Sequence, residues 1–394
     1  MLKRGLLCLL ACLCLVMPVF ASGPDIAGES ISASAVSDGA VPTLSAQSAV
    51  LADGEGNVLY AHNDDAILPM ASTTKIMTGY VALLYCNDLD APCKIPKEAV
   101  GVEGSSVYLR AGERLTMRDL LYATLMESAN DAAAAVAFLT AGTLEDFATL
   151  MNEQAEKMGL LHTHFVTPHG LDAEGHHTTA KDLARLTAAA LKNPDFREIV
   201  STYKKEIPLH ETEGIRLLVN HNRLLKSYEG CIGVKTGYTK KSGRCLVSAA
   251  ERDGLTLIAV TLNAPDDWND HKAMFDFGFA NYESVPLTQI GEQYAVLPVV
   301  GGESSSKDGG ATVGVKNTEG AYVTLKKGTY EIHKETYLPR FLYAPVTKGQ
   351  EIGYVKYYMG DTLLIKIPLC TCEAVALYEK PSLWQRILSF FGLS

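Results

Sequence analysis

A hydroxyl and an amine three residues apart, Ser72 and Lys75, stand at the start of an apolar run in Pro69-Met70-Ala71-Ser72-Thr73-Thr74-Lys75. A serine hydroxyl attacks a carbonyl only after a base takes its proton, and a lysine can be that base when burial, a second cation or a helix N-terminus disfavours its charged form. Downstream, Ile76, Met77, Tyr80, Val81, Leu83 and Leu84 carry the three-and-four spacing of an amphipathic helix, and Pro69 with the small hydroxyl residues is an entry signal. On such a helix Ser72 and Lys75 share one face. The spacing itself is not distinctive. Ser201-Thr202-Tyr203-Lys204 and Ser304-Ser305-Ser306-Lys307 match it too, and a capping serine beside a solvated lysine gives the same pattern, so partners must decide.

Two further clusters offer partners. Ser128-Ala129-Asn130-Asp131 follows the apolar Leu120, Leu121 and Leu125, and polar groups in a hydrophobic helix cost stability unless they meet partners or a ligand. An Asn or Ser bonding to a helix end accounts for the same residues. Lys235-Thr236-Gly237 falls on a strand-like run and occurs nowhere else in the chain. Gly237 there removes a side chain where another backbone approaches, and such an edge can accept an extended peptide whose carboxylate Lys235 and Thr236 would hold. A solvated turn lysine is the plainer alternative.

The elements that must position these residues follow from periodicity. Ala46 to Ala52 and Asn57 to Ala61 flank Asp53-Gly54-Glu55-Gly56 as a hairpin. Three helices open with a threonine followed three residues later by an aspartate: Thr116 with Asp119 opens Met117 to about Leu139, Thr143 with Asp146 the next, and Thr179 with Asp182 the third, which stops before Asn193-Pro194. Cys231 to Thr239, Arg244 to Ala250 and Leu255 to Asn263 read as an antiparallel meander, and a helical run with Trp268, Phe275, Phe279 and Tyr282 closes the domain. The expectation is an α+β fold, an antiparallel five-stranded sheet flanked by helices with a helical insertion, over residues 45–283. Residues 284–380 read as a small all-β domain with strands at Tyr294 to Val300, Ala311 to Val315, Ala321 to Leu325, Gly353 to Tyr358 and Thr362 to Ile367.

The ends carry their own signals. Lys3 and Arg4, an apolar block from Gly5 to Phe20 and Val19-Phe20-Ala21 before Ser22 read as a secretory signal peptide, residues 1–21, followed by a flexible lead-in over 22–44. Cleavage there leaves Cys86, Cys93, Cys231, Cys245, Cys370 and Cys372; an exported chain permits Cys86 with Cys93, and Cys231 with Cys245 across a hairpin, to pair, without fixing that they do. Residues 381–394 carry Leu383, Trp384, Ile387, Leu388 and Phe391 as an apolar stripe, too short to cross a membrane; they can lie in a membrane surface or dock on the β-domain. The formal net charge of −10, more negative once Lys3 and Arg4 are removed, argues against a nucleic-acid partner.

In order along the chain, Ser72-x-x-Lys75, Ser128-x-Asn130 and Lys235-Thr236-Gly237 resemble the three motifs of the penicillin-binding proteins and serine β-lactamases, with Ala129 where the second motif often has aspartate. The longer context resembles the low-molecular-mass D-alanyl-D-alanine carboxypeptidases: Ser105-Ser106-Val107-Tyr108-Leu109, Asn130-Asp131-Ala132-Ala133, Thr163-His164-Phe165-Val166 leading to Pro168-His169-Gly170-Leu171-Asp172, Asn220-x-Asn222-x-Leu224-Leu225, and Ala344-Pro345-Val346-x-Lys348-Gly349 in the β-domain. The resemblance implies a penicillin-binding, β-lactamase-like fold and an acyl-enzyme on Ser72, with Lys75 as base and Ser128 as proton relay. It implies substrate contacts from Asn130, Lys235, Thr236 and Gly237, and an oxyanion hole from the backbone N–H groups of Ser72 and Tyr238, where several relatives carry histidine in place of Tyr238. Peptidoglycan stem peptides would be the substrate, β-lactams covalent inhibitors, and no cofactor or metal is called for. It also implies action at the outer face of the bacterial cytoplasmic membrane or in the cell wall.

Three other readings stand beside it. A class A β-lactamase would want a Glu-x-x-Leu-Asn loop between the second and third motifs, which this chain lacks. A zinc peptidase could use His169, Asp172, His176 and His177, although their spacing matches no standard ligand set. An inactive cell-wall binding protein is countered by the intact set of Ser72, Lys75, Ser128, Asn130, Lys235 and Thr236.

Overall fold

A computed structural model of the chain describes residues 41–209, 214–303, 310–328 and 330–380, together with 384 and 391. The expected signal peptide, most of the lead-in, the terminal amphipathic helix as an element and the Ser304-to-Lys307 repeat of the serine–lysine spacing lie outside the described residues. The described chain forms two compact units, divided after Ser284, with Thr324–Lys327 clustering with the first.

The first unit is built on one antiparallel sheet. Its strands are β1 (Ser48–Asp53), β2 (Val58–His62), β3 (Cys231–Thr239), β4 (Gly243–Arg252) and β5 (Leu255–Leu262), in spatial order β2-β1-β5-β4-β3. The β1–β2 turn is held by Asp53, whose Oδ1 accepts the N–H groups of Glu55 and Asn57 at 3.0 and 2.9 Å. All six residues of β1 are buried, because helices cover both faces of the sheet. Alternate residues go to opposite sides: Val50 and Ala52 join the core under the helical insertion, while Ala49 and Leu51 pack in the cluster with Met274 and Phe275.

The helical insertion between β2 and β3 carries α1 (Lys75–Tyr85), α2 (Met117–Met126), α3 (Asn130–Ala141), α4 (Leu144–Lys157), α5 (Ala180–Leu191), α6 (Pro194–Ser201) and the short α7 (Leu224–Ser227); α8 (Asp267–Asn281) follows the sheet. The three threonine starts are helix caps. Thr116, Thr143 and Thr179 each accept the N–H of the aspartate three residues on, and Thr116 with Asp119 completes a reciprocal capping box.

Two expectations fail at the places that matter most. The single helix expected from Met117 to about Leu139 is broken at Glu127–Ala129, where Ser128 has φ 61° and the Ala129 N–H reaches back to the Ala123 carbonyl at 3.2 Å. The break is held from outside, since the Asn130 N–H donates to the Ser105 carbonyl at 2.7 Å, so no local helix signal reveals it. Ser72 likewise lies in a 3-10 turn, Ala71–Thr74, that leads into α1 instead of in the α-helix itself. The two cysteine pairings that the sequence leaves open are not formed. Across the β3–β4 ladder Cys231 faces Ala250 and Cys245 faces Gly237, so those two thiols are not opposite, and all six described cysteines, Cys86 and Cys93 included, are free.

The second unit contains a six-stranded sheet in the order Ile332–Tyr337, Glu351–Met359, Thr362–Thr371, Thr312–Asn317, Gln293–Val300, Leu342–Tyr343. Four of the expected strands are in it, Ala321–Lys326 stands outside it, and Ile332–Tyr337 and Leu342–Tyr343 were missed. The polar alternation of His333, Lys334 and Glu335 hides the first of these; the second is only two residues long. Among the described residues no single helix is long and apolar enough to cross a membrane.

Candidate active site

The turn at Ala71–Thr74 delivers Ser72 to the floor of a cleft of about 810 Å³, whose lining includes Ser128, Thr236, Gly237 and Tyr238. The cleft lies along β3, the edge strand of the sheet. Gly237 permits the approach: a Cβ there would sit 3.1 Å from the backbone nitrogens of both Ser72 and Thr73, tighter than ordinary packing. Behind the turn, Gly170 has φ +84°, and a Cβ on it would fall 2.0 Å from the Ala71 carbonyl oxygen, so no other residue fits.

Lys75 begins α1 and is wholly buried. Its Nζ lies 2.9 Å from Ser72 Oγ, 2.7 Å from Asn130 Oδ1 and 2.6 Å from the His169 carbonyl oxygen. Burial holds its pKa well below the usual lysine range, the nearby charge of Lys235 lowers it further, and Asp131 opposes both. The contact set then has a specific meaning. In the structure Nζ donates to all three oxygens; once the amine is neutral it keeps only two N–H groups, the Asn130 amide oxygen and the His169 carbonyl can only accept them, and the lone pair is left to the Ser72 hydroxyl. An amine so placed is within reach to take the Ser72 proton.

The second motif reaches the site through the break that the sequence did not show. Ser128 is buried, lines the cleft and occupies the left-handed position between α2 and α3, while Asn130 begins α3 and also donates its Nδ2 to the Glu103 carbonyl at 2.5 Å. Asp131 anchors the neighbouring loop: it accepts the Ser106 hydroxyl at 2.7 Å and the N–H groups of Val107 and Leu109 at 3.2 and 2.9 Å. Lys235 is buried on β3, donates to the Thr236 carbonyl at 2.9 Å, and is pushed down to about 7 by burial, with Glu127 pulling the other way.

The four groups considered for zinc are separately engaged. His176 Nδ1 accepts the Val166 N–H at 2.9 Å, and its Nε2 lies 2.8 Å from Thr74 Oγ1, which donates to the Ala71 carbonyl at 2.7 Å. Burial drops both His176 and His169 to about 4. His169 Nδ1 faces the Leu171 N–H at 3.3 Å, Asp172 accepts from Thr239 Oγ1 at 3.1 Å, and His177 packs against His164. Of these side chains only His176 braces the turn that carries Ser72, through Thr74. The remaining copy of the serine–lysine spacing, Ser201 and Lys204, is exposed and does not line the cleft.

Reading motifs missed part of the wall. Glu127, His221, Arg223, Arg244, Asp267 and Trp268 lie in or against the cleft; Glu127 adjoins the Ser128 motif and His221 and Arg223 fall in or beside the interrupted pattern Asn220-x-Asn222, but no motif marks them as part of the site. Both of those asparagines shape backbone: Asn220 Nδ2 donates to the carbonyls of Val200 and Thr202, and Asn222 Oδ1 accepts the Leu224 N–H at 3.0 Å.

The model of the D-alanyl-D-alanine carboxypeptidase family matches residues 34–266, and that of the penicillin-binding protein 5 C-terminal domain matches residues 282–376. The chain belongs to the D-alanyl-D-alanine carboxypeptidase family. It is 33% identical to the D-alanyl-D-alanine carboxypeptidase DacF of Bacillus subtilis, across 83% of this chain and 85% of that protein. With DacC of Escherichia coli it shares 32% identity over 89% and 88% of the two chains. Among solved structures, penicillin-binding protein 5 of Haemophilus influenzae superposes with a TM-score of 0.67 at 27% identity, covering 86% of this chain and 99% of that one. As a member of this family the protein is a serine-type carboxypeptidase, a hydrolase, with the mixed α+β fold and all-β C-terminal domain of its relatives. The β-lactamase, zinc-peptidase and inert-binder readings find no support in these matches.

Proposed function

We propose that this carboxypeptidase removes the terminal D-alanine from peptidoglycan stem pentapeptides through an acyl-enzyme on Ser72. The observation that carries the assignment is the buried Lys75 amine, 2.9 Å from Ser72 Oγ, with two obligate acceptors consuming its N–H groups. Lys75 takes the Ser72 proton as Oγ attacks the carbonyl between the two D-alanines. The oxyanion forms against the backbone N–H groups of Ser72 and Tyr238, a pairing supported by the close approach at Gly237. Ser128 returns a proton to the leaving amine, the C–N bond breaks and D-alanine departs; water then hydrolyses the ester. Asn130 orients the base and the substrate backbone, Lys235 helps keep Lys75 neutral, and Thr236 receives the terminal carboxylate. The open edge of β3 suits an extended peptide added in β fashion.

The same attack on a β-lactam carbonyl would leave Ser72 covalently blocked. The sequence of residues 1–21 supports export, and the apolar stripe of residues 381–394 supports attachment to the outer face of the cytoplasmic membrane. Mass spectrometry of diacetyl-Lys-D-Ala-D-Ala incubated with enzyme tests the chemistry: wild type should release one D-alanine, and equal release by Ser72→Ala would reject Ser72 as the nucleophile. Deletion of residues 381–394 should shift the protein from the membrane to the soluble fraction, and an unchanged distribution would remove the anchor.

A further inference from the structure

The cleft contains a titratable pair that the steps above leave unused. Glu127 directly precedes Ser128 in the break between α2 and α3; one carboxylate oxygen accepts the Val219 N–H and the other, Oε2, lies 3.1 Å from His221 Nε2. The His221 backbone N–H donates to the Met126 carbonyl at 3.3 Å, so this histidine is tied to the end of α2 by both main chain and ring. It shares the cleft lining with Ser72, Ser128 and Thr236.

A carboxylate facing Nε2 fixes the tautomer of a neutral imidazole with its proton on Nε2. Nδ1, which has no hydrogen-bond partner among the described residues, is then a lone pair. Toward an anionic ligand that lone pair is repulsive, whereas a proton on it makes a charge-assisted donor. The charged groups around the ring are few. Lys235 on β3 opposes its protonation, Glu127 favours it, and burial opposes it more strongly than Lys235 does. The other cleft charges have partners: Arg244 is paired with Asp267, and Arg223 and Arg244 both lie over the Trp268 ring, each 5.9 Å from its centroid. We propose that His221, oriented by Glu127, is a protonation-dependent receptor for the substrate's terminal carboxylate alongside Thr236. The proposal rests on the cleft being the D-Ala-D-Ala site. An incoming carboxylate supplies the negative charge that burial and Lys235 withhold, so peptide binding draws a proton onto Nδ1 and tightens as pH falls through the imidazole's range.

The test is the pH dependence of KM and kcat for diacetyl-Lys-D-Ala-D-Ala, over about pH 5.5 to 8.5 where imidazole titrates, in wild type, His221→Gln, His221→Arg and Glu127→Gln. In wild type KM should rise with pH. His221→Gln should raise KM at the acid end by about tenfold, the effect of one charge-assisted hydrogen bond, with a smaller change in kcat and a flattened pH dependence of KM. His221→Arg should keep KM low at the alkaline end, because guanidinium does not titrate there. Glu127→Gln should weaken the pH dependence by removing the charge that favours imidazolium. If His221→Gln keeps the wild-type slope of KM, or if His221→Arg fails to hold KM low at alkaline pH, the proposal is overturned. Covalent labelling of Ser72 by fluorescent penicillin in each variant reports folding and acylation separately. Unaltered labelling with an unaltered KM slope sinks the His221 role alone, whereas turnover surviving Ser72→Ala sinks the reading of the cleft itself.

Discussion

The chain contains the same serine–lysine spacing in two described places, and they behave oppositely. Ser201 ends α6 and donates to the Glu198 carbonyl at 3.1 Å, and Lys204 starts an exposed strand; the two do not form a catalytic pair. Ser72 and Lys75 lie at the N-terminus of a buried helix, with Asn130 and the His169 carbonyl closing around the amine. Spacing only puts a hydroxyl near an amine. Burial and obligate acceptors suit the amine to the base's role proposed for it, because water no longer stabilises its charged form and Asn130 and His169 offer acceptors for its N–H groups.

The contrast breaks most sharply by substitution at the proposed nucleophile and base. Ser72→Ala should lower D-alanine release by roughly 10⁴-fold or more, measured in a coupled D-alanine assay, and Lys75→Arg should cost roughly 10³-fold, since an always-charged guanidinium cannot accept the proton. Retained turnover in Lys75→Arg would show that charge, and not a free lone pair, is what the site needs. Gly237→Ala should come next. Its Cβ would press on the Ser72 turn from 3.1 Å, and penicillin acylation should slow by about tenfold to a hundredfold while thermal stability moves little. An acylation rate equal to wild type would mean that β3 yields without disturbing the turn.

Acid sharpens the comparison without mutation. His169 and His176 are held neutral by burial, near 4 in the folded protein against about 6.5 in the unfolded chain. The unfolded state therefore binds protons that the folded state refuses, and stability is lost as pH falls from about 6.5 to about 4, by about 1.4 kcal/mol per pH unit for each imidazole. Urea unfolding at successive pH values should show this slope, and His176→Gln should reduce it. A slope unchanged in that variant would assign the acid sensitivity elsewhere. The smallest effect belongs to the second copy: Ser201→Ala and Lys204→Ala should each leave turnover unaltered and shift stability by no more than about 0.5 kcal/mol, and any loss of turnover would show that Ser201 or Lys204 reaches the chemistry.

Much of the frame was legible because its causes are local. The apolar run of β1, the Asp53 turn and the threonine caps at Thr116, Thr143 and Thr179 each depend on neighbours within a few residues. The strand Ile332–Tyr337 was not legible, since its half-buried polar side chains give no clean period.

The sequence by itself determined which groups could react, through three short motifs, and which helices and strands would carry them, through periodicity and caps. Only the tertiary structure decided that α2 and α3 part at Ser128, that Lys75 loses its water to Asn130 and His169, and that Glu127 turns one nitrogen of His221 toward itself. Each of those depends on atoms brought together from distant positions, and the desolvation and hydrogen bonding that set a group's reactivity belong to that enclosure and not to the order of residues along the chain.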